Sequence, residues 1–302
     1  IAEGYTDFDI EGCGQHNIGG SSWALNREEK LNFKITNPGQ RAGAMALSGT
    51  RITIEGSAPA DVGWLNSGAK IIVNGDCGDT AAHCAAGGKI FVSGRVGTRS
   101  GALMKHDPKY NPPEFWVLKN AGSFSFEFMG GGIAVVCGYD CEGLSSVLGN
   151  RSCVGMVGGC IYVRGPIANI ADCVEIKELE ENDIEFLKTG LKEFLQNIDK
   201  SYLYDELTLW NEWKKIAAED SSHKTNKMSV AEFRQKTWIK DGIFSDFIND
   251  DYVVYKVPAV NEGRVHIPHW TKTDCIKCNI CVKNCPQKAI EVKDNSYNSI
   301  NE

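Results

Sequence analysis

The sequence lacks long apolar runs and an excess of positive charge. None of its apolar stretches approaches the ~20 residues that a membrane-spanning helix needs. With 32 Lys and Arg against 39 Asp and Glu, the net charge is −7, which argues against nucleic acid or an anionic membrane as a partner. No secretory signal is visible. Because the numbering starts at Ile1 without a methionine, we expect a processed start, and we expect a cytoplasmic location.

The motifs of common enzyme active sites are also missing. No glycine-rich loop ending in Gly-Lys-Ser/Thr is present, and the segment 94–101 does not fit G-x-G-x-x-G, so no phosphate-binding or dinucleotide-binding loop is predicted. No Ser-His-Asp set and no paired acids stand out. The spacing of His83, His266 and His269 gives only weak support for ligand roles. We therefore predict no catalytic residue in this chain.

A run of four cysteines near the C-terminus carries the clearest chemical signal. Cys275, Cys278, Cys281 and Cys285, followed by Pro286, have the spacing C-x2-C-x2-C-x3-C-P of bacterial ferredoxins. Thiolates are soft ligands that suit iron–sulfur clusters, whereas a zinc site would use two separated C-x2-C pairs. The run therefore predicts that these cysteines are the metal ligands of a [4Fe-4S] cluster, which transfers single electrons.

Two assignments are open for the last cysteine of this run. In two-cluster ferredoxins, that cysteine binds the other cluster, yet this chain has a single run. Cys285 either completes the local cluster or serves a cluster that another segment or another chain completes. After Pro286 we expect a short helix over Gln287–Ile290, which leads into a strand containing Ile290 and Val292.

The other cysteines are interpreted as core residues. The chain has 12 cysteines, and several of them lie in or beside apolar, strand-like segments. Together with the cluster run, this distribution indicates a reducing compartment rather than a secreted, disulfide-bonded protein. Cys137, Cys153 and Cys160 are expected to fill small core positions.

The glycine-rich first part of the chain repeats every 19 residues. Three short apolar segments end at Gly56, Gly75 and Gly94. A further step back of the same length reaches Asn37, in a turn that we expect to need positive φ. The predicted strands contain the segments Phe8–Ile10, Phe33–Ile35, Ile52–Ile54, Ile71–Val73, Ile90–Val92, Phe115–Val117, Ala134–Val136 and Ile161–Val163.

A constant period of this kind favours a solenoid. Short strands at a fixed step, separated by tight corners, are typical of a parallel β-helix in which each coil stacks on the previous one. A sandwich or barrel would instead show irregular spacing and hairpin turns. An insertion at 105–113 interrupts the period. We predict a mainly β fold, a parallel β-helix with coils of about 19 residues.

The segment after the repeat is richer in charged and aromatic residues. Asn182–Glu185 has the pattern of a capping box, and apolar residues recur at helical spacing from Ile184 to Ile198, which predicts a helix. A second helix is predicted over Tyr204–Ala218. This segment either caps the open end of the solenoid or provides a docking surface for a flavoprotein, and the two roles are compatible.

Three stretches of the repeat resemble the GXGXG domain of glutamate synthase large subunits, namely Gly87–Lys105, Gly122–Gly138 and Leu148–Gly165. The resemblance covers about residues 5–170. In that family the domain is a right-handed β-helix that packs between the glutaminase and flavin domains. The resemblance therefore implies a mainly architectural role. A related helix forms the C subunit of formylmethanofuran dehydrogenases.

The chain departs from a glutamate synthase in what it lacks. It has no N-terminal cysteine glutaminase, no FMN barrel and no dinucleotide fingerprint, and it adds the cysteine run. It is similar to the glutamate-synthase-like subunits of electron-bifurcating hydrogenases and transhydrogenases. The resemblance implies a non-catalytic electron-relay subunit, with FAD or FMN and NAD(P) on partner subunits. A split glutamate synthase and a formylmethanofuran dehydrogenase are the alternatives.

We expect three parts along the chain. A GXGXG-type β-helix covers 1–172, a helical cap or linker covers 173–268, and a ferredoxin-type iron–sulfur segment covers 269–302. The expected partners are flavoprotein and iron–sulfur subunits of a larger oxidoreductase. No substrate site of its own is expected in this chain.

Overall fold

The computed structural model describes residues 1–22 and 30–219, together with the backbone of four short strands at 252–254, 269–271, 290–293 and 296–300. The chain forms two compact units, Ile1–Glu219 and Asp220–Glu302. The glycine-rich repeat lies in the first unit, and the cysteine run belongs to the second.

The first unit is built on one large sheet. Its strands are β1 (Asp7–Glu11), β2 (Leu31–Thr36), β3 (Thr50–Glu55), β4 (Ser67–Val73), β5 (Gly87–Val92), β6 (Glu114–Val117), β7 (Gly130–Val136), β8 (Gly158–Arg164), β9 (Val174–Lys177) and β10 (Trp213–Ala218). Within the described residues, the sheet order is β1 to β8 in sequence, then β10 and β9. β1 to β8 are all parallel to one another.

These strands pair in the register that the repeat predicts. Ile52 lies opposite Ile71, and Ile71 lies opposite Ile90, so each step is one period. A longer step, from Phe8 to Phe33, occurs where the chain holds an insertion. All eight predicted strand segments are confirmed. Since parallel neighbours need a connection that returns to the start of the next strand, this order is compatible with the predicted parallel β-helix.

The return connections form a second hydrogen-bonded wall, which we name the turn wall. Three alternate residues of each coil have positive φ, for example Thr80, Ala82 and Cys84. The N–H groups of His83 and Ala85 donate to the carbonyls of Thr80 and Ala82, which closes two overlapping turns with a left-handed third residue, as in type II turns. The turn wall consists of the segments 41–45, 61–65, 80–84, 99–103, 124–128 and 151–155.

Backbone hydrogen bonds join the turn wall from coil to coil. The N–H of Leu65 donates to the carbonyl of His83 at 2.9 Å, and the N–H of Cys84 donates to that of Ala102 at 2.8 Å. A left-handed backbone costs an ordinary residue roughly 1–2 kcal/mol. The paired ladder holds these residues in place, so their side chains leave the wall at a fixed spacing of about 4.8 Å per coil.

The inward side chains fill the interior of the coil stack. Ile54, Val73 and Val92 are consecutive partners in the sheet register, and all three are fully buried. Small residues of the turn wall, such as Ala42 and Ala81, belong to the same core. Burial of each branched aliphatic side chain contributes about 1.5–3 kcal/mol, so the repeated apolar ladder is the main source of stability for the stack.

One helix covers the outer face of the sheet. α1 (Glu181–Asn197) packs Leu187, Leu191 and Phe194 against Phe91 and Trp116 in a second hydrophobic core. The helix predicted from the apolar spacing is confirmed. Across the described part of the chain, the helices are too short or too polar to cross a membrane.

The start of α1 differs from the prediction. The N-cap is Glu180, whose backbone N–H donates to the carboxylate of Asp183 at 3.0 Å. The capping box predicted at Asn182–Glu185 is therefore wrong. Asp183 is also bound by Tyr162 and Lys215 of the sheet, so contacts far apart in sequence fix where the helix begins.

The second helix predicted over Tyr204–Ala218 is wrong. This stretch contains the short α2 (Tyr204–Leu207), a 3-10 turn at Trp210–Glu212 and then β10. β10 pairs antiparallel with β8 on one side and β9 on the other. The exposed edge of β8 would leave backbone groups unpaired, and pairing that edge outweighs the helical spacing of the apolar residues.

The described strands of the second unit form two antiparallel pairs. β11 (Tyr252–Val254) pairs with β12 (His269–Thr271), and β13 (Ile290–Lys293) pairs with β14 (Ser296–Ile300). The strand predicted after the cysteine run is thus confirmed. Ile290 belongs to β13, so its assignment to the preceding predicted helix is wrong.

Candidate iron–sulfur site and the charged outer cleft

The four predicted cluster ligands lie outside the described residues. Cys275 follows β12, and Cys285 precedes β13, so the run occupies the segment between two described strands. His266 also lies outside them, whereas His269 begins β12, whose backbone pairs with β11. The assignment of Cys278, Cys281 and their neighbours as ligands rests on the sequence, and it stays a prediction.

The eight described cysteines do not offer a second cluster site. All are free thiols, and within 1–22 and 30–219 no group of three or more Cys, His, Asp or Glu residues could hold a metal ion. Burial raises the pKa of Cys153 to about 12 and raises those of Cys77 and Cys137 further. Such thiols stay protonated and are poor ligands.

The sequence interpretation of three cysteines as core residues is mostly confirmed. Cys137 and Cys153 are fully buried. Cys160 is partly exposed and packs at the border of the second hydrophobic core.

His83 is partly buried, and its Nδ1 has no hydrogen-bond partner among the described residues. Burial lowers the pKa of its imidazole. The imidazole is therefore neutral near pH ~7.

A cleft of about 1100 Å³ opens on the outer face of the sheet beside α1, and we name it the outer cleft. The starts of β4 and β5, the insertion at 105–113 and Phe186 of α1 line it. Lys70 and Lys89, which are partners in the sheet register, project into this region. The cleft combines charged side chains with an apolar wall, and its capacity to bind a charged ligand depends on whether those charges are free.

The charges of the outer cleft are largely paired with each other. Lys70 and Lys89 both donate to the carboxylate of Glu193 on α1, each at 2.7 Å. Lys89 also lies 3.1 Å from Glu114, which accepts a hydrogen bond from the indole N–H of Trp116 at 2.9 Å. We name this network of Lys70, Lys89, Glu114 and Glu193 the clasp, because it holds α1 against the sheet. Its internal pairing leaves the two lysines with little capacity to bind a further anion.

The pKa values of the clasp reflect this pairing. Partial burial raises the pKa of Glu193, but the hydrogen bonds from Lys70 and Lys89 lower it below its usual range. Partial burial lowers the pKa of Lys89, while the hydrogen bonds and charges of Glu193 and Glu114 raise it above its usual range. Both shifts stabilise the charged forms. The clasp therefore stays ionised near neutral pH and has no poised acid or base.

A second network ties the start of α1 to the end of the sheet. The hydroxyl of Tyr162 donates to Asp183 at 2.7 Å, and the ammonium of Lys215 lies at the same distance from the same oxygen. Asp183 is buried. Sequence reasoning missed both networks because the contacts of the sheet residues with Asp183 and Glu193 span 21 to 123 residues along the chain. The recurrence of Lys70 and Lys89 at one period was the available signal.

A stack of parallel strands joined to a ferredoxin-type cysteine run defines an iron–sulfur electron-transfer subunit with a large β scaffold. The chain belongs to the GXGXG motif family, whose model matches residues 22–219. A model of the 4Fe-4S binding domain matches residues 268–291. The predicted combination of a stand-alone GXGXG domain with a C-terminal ferredoxin-type segment is thereby confirmed.

A curated relative comes from Methanocaldococcus jannaschii and is an uncharacterized protein. It is 35% identical to this chain over 126 residues, which are 40% of this chain and 48% of the relative. The matched part thus spans about half of that relative, and the similarity assigns no activity.

Proposed function

We propose that this chain is a non-catalytic structural and electron-relay subunit of a flavin and iron–sulfur oxidoreductase linked to NAD(P)H or ferredoxin. The observation that carries the proposal is the union of a GXGXG domain and a ferredoxin-type segment in one chain. The electron-bifurcating hydrogenases and transhydrogenases are the type of complex that this union fits best. The free state of the described thiols supports a reducing, cytoplasmic location.

The four cysteines of the run would hold the cluster. Cys275, Cys278, Cys281 and Cys285 supply four thiolates, which is the donor set that a [4Fe-4S] cluster uses. A bound cluster supplies one-electron transfer. FAD or FMN and NAD(P) would then reside on partner subunits, since the sequence has no dinucleotide or phosphate-binding loop.

The scaffold would be a right-handed β-helix over 1–172. The parallel order of β1 to β8 supports this assignment, because crossovers between parallel strands of one sheet are almost always right-handed. The division of the rest into a cap or linker over 173–268 and an iron–sulfur segment over 269–302 is part of the same proposal.

A split glutamate synthase is the second candidate, favoured by the GXGXG match itself. In that setting the scaffold would brace the other domains, and the cluster would pass electrons to FMN. Glutaminase and FMN-barrel subunits would accompany the chain. A molybdenum or tungsten subunit would instead indicate a formylmethanofuran dehydrogenase.

Purification of the native complex through this chain tests the proposal. We expect flavoprotein and iron–sulfur subunits to co-purify, and the isolated chain to show a cluster EPR signal on reduction without oxidising NAD(P)H. Steady NAD(P)H turnover by the isolated chain would refute the relay role. Glutamine-dependent glutamate formation by the intact complex would favour the split glutamate synthase.

A further inference from the structure

The outward side chains of the turn wall form two parallel columns along the coil stack. The fifth position of each segment carries an apolar side chain in most coils, and Met45, Leu103 and Phe128 are exposed there. The first position carries arginine in three of the six segments, namely Arg41, Arg99 and Arg151. Backbone hydrogen bonds join each segment to the next, so equivalent positions line up along the stack. Asp61, Thr80 and Phe124 hold the first position in the other three segments.

The left-handed backbone of the turn wall directs the side chains of the apolar column into solvent. Leu103 is 43% exposed and Phe128 is 49% exposed, and both have positive φ. The ring of Phe128 lies over Gly155, and a Cβ added to that glycine would come 2.3 Å from Cδ1 of the ring. Because Gly155 has no side chain, the last segment of the turn wall does not cover the ring. About 20 Å separates Met45 from Phe128 at ~4.8 Å per coil.

The arginine column lies beside aromatic side chains. The guanidinium of Arg41 stacks over Trp64 at 5.2 Å, and those of Arg99 and Arg151 lie over Phe124 at 5.6 and 5.3 Å. Arginine and large aromatic side chains are enriched among the residues at the centres of protein interfaces that contribute most to binding. Stacking pre-orders these long side chains, which reduces the entropy cost of binding.

The charge of the column is only partly balanced. Arg41 pairs with Asp61 at 3.4 Å, and Arg99 pairs with Glu127 at 3.2 Å. Both acids are more buried than the arginines that they pair with. Arg151 has no acidic partner within the described residues. Arg151 therefore adds an unpaired positive charge to the solvent side of the wall, on a chain whose net charge is −7.

We propose that the turn wall is the docking surface for a partner subunit that presents an apolar ridge rimmed by Asp and Glu side chains. The outer face of the sheet provides a comparison, since α1 covers the apolar side chains there. No described element covers the apolar side chains of the turn wall in the same way. Carboxylates of the partner would pair with Arg151 and with the open sides of Arg41 and Arg99. The redox identity of the partner, a flavoprotein or iron–sulfur subunit, rests on the function proposed above.

Substitution in the native complex tests this surface, with a matched control at an equally exposed leucine. Leu103→Asp should weaken retention of the partner at least about tenfold, because it places a charge in the apolar contact. Arg151→Glu should weaken it by a similar factor and reduce its salt dependence, and Arg151→Lys should partly restore it. Leu144, which is 42% exposed and lies off the turn wall, should tolerate Asp without loss. Equal thermal unfolding of the variants confirms that they are folded.

Side-chain footprinting identifies what covers the wall. Met45, Leu103 and Phe128 should be labelled as readily as Leu144 in the isolated full chain and should be protected in the complex. Protection in the isolated chain would mean that residues 220–302 or a second copy cover the wall, and it would overturn the proposal. Flavoprotein partners that bind while the wall stays labelled would also overturn it, although the proposed function would stand. A protected wall in a complex without redox subunits would refute the proposed function and leave the docking surface intact.

Discussion

Gly190 faces the indole of Trp116 so closely that no side chain fits between helix and sheet. A Cβ on Gly190 would lie 2.2 Å from Cη2 of Trp116. Trp116 is fully buried, and its ring also lies near those of Phe91 and Phe194. Neither the ring nor the helix can therefore move without disturbing the second hydrophobic core.

Gly190→Ala should destabilise the first unit by about 1–3 kcal/mol, because overpacking forces the helix away from the sheet. Helix propensity alone predicts the opposite, a gain of roughly 1 kcal/mol. Chemical denaturation measures the difference. Thr189→Ala, at the exposed neighbouring position, is the control and should be neutral or slightly stabilising. A more stable Gly190→Ala variant would show that α1 does not pack on Trp116 in this way.

Glu193→Gln should flatten the acid side of the stability profile. The pKa of Glu193 in the folded chain lies below its usual value of 4.5, so its contribution is complete above that value and is lost as pH falls through the folded-state pKa. The unsubstituted chain should lose on the order of 1 kcal/mol more than the variant between about pH 6 and pH 3, a small figure because the clasp is partly exposed. Glu185→Gln, at an exposed position of the same helix, should keep the original profile.

Asp183→Ala should cost about 2–4 kcal/mol of unfolding free energy. The change removes the acceptor of Tyr162, Lys215 and the Glu180 N–H at once, and it leaves the Lys215 ammonium without its partner. Thermal melting followed by far-UV circular dichroism measures the loss. Glu181→Ala, in the same first turn but exposed, should cost under about 1 kcal/mol. Similar losses for both variants would assign the effect to the helix dipole.

Replacement of Cys275, Cys278 or Cys281 by Ser should abolish the cluster EPR signal and remove most of the bound iron. Cys285→Ser separates the two assignments of the last cysteine. Loss of the signal in the isolated chain means that it completes the local cluster, and an unchanged signal means that another residue does. Cys137→Ala, at a fully buried thiol, is the control, and it should keep the iron while costing roughly 1 kcal/mol of stability.

The strands could be predicted from the sequence because the repeat is a direct consequence of stacking. Equivalent residues such as Ile52, Ile71 and Ile90 face the same interior, so one pattern is imposed on every coil. Asn37 has a φ of 49°, which confirms the turn conformation inferred from its place in the repeat. The turn wall itself was not predicted, since its left-handed positions carry side chains as different as Thr80, Met45 and Phe128.

The segment after the repeat could be predicted only in part, because its structure depends on partners far away in sequence. The apolar spacing found α1, yet the sequence gives no sign that β8 would offer an open edge to β10. Trp213 and Ile216 are both buried, but on opposite faces of that strand: Trp213 lies in the second hydrophobic core and Ile216 in the interior of the stack. From the sequence alone, their three-residue spacing favours a helix. The clasp on Glu193 was equally hidden, since Lys70 lies 123 residues before its partner.

The strict register of the coils has a consequence for evolution and engineering. Within the stack each coil pairs only with the coils next to it, so a whole period can be removed or duplicated, for example between Gly56 and Gly75, without changing which residues face inward. Such a change would shorten or lengthen the scaffold by about 4.8 Å. The length of the stack can therefore change only in whole coils, and so can the distance between any two surfaces that lie on different coils.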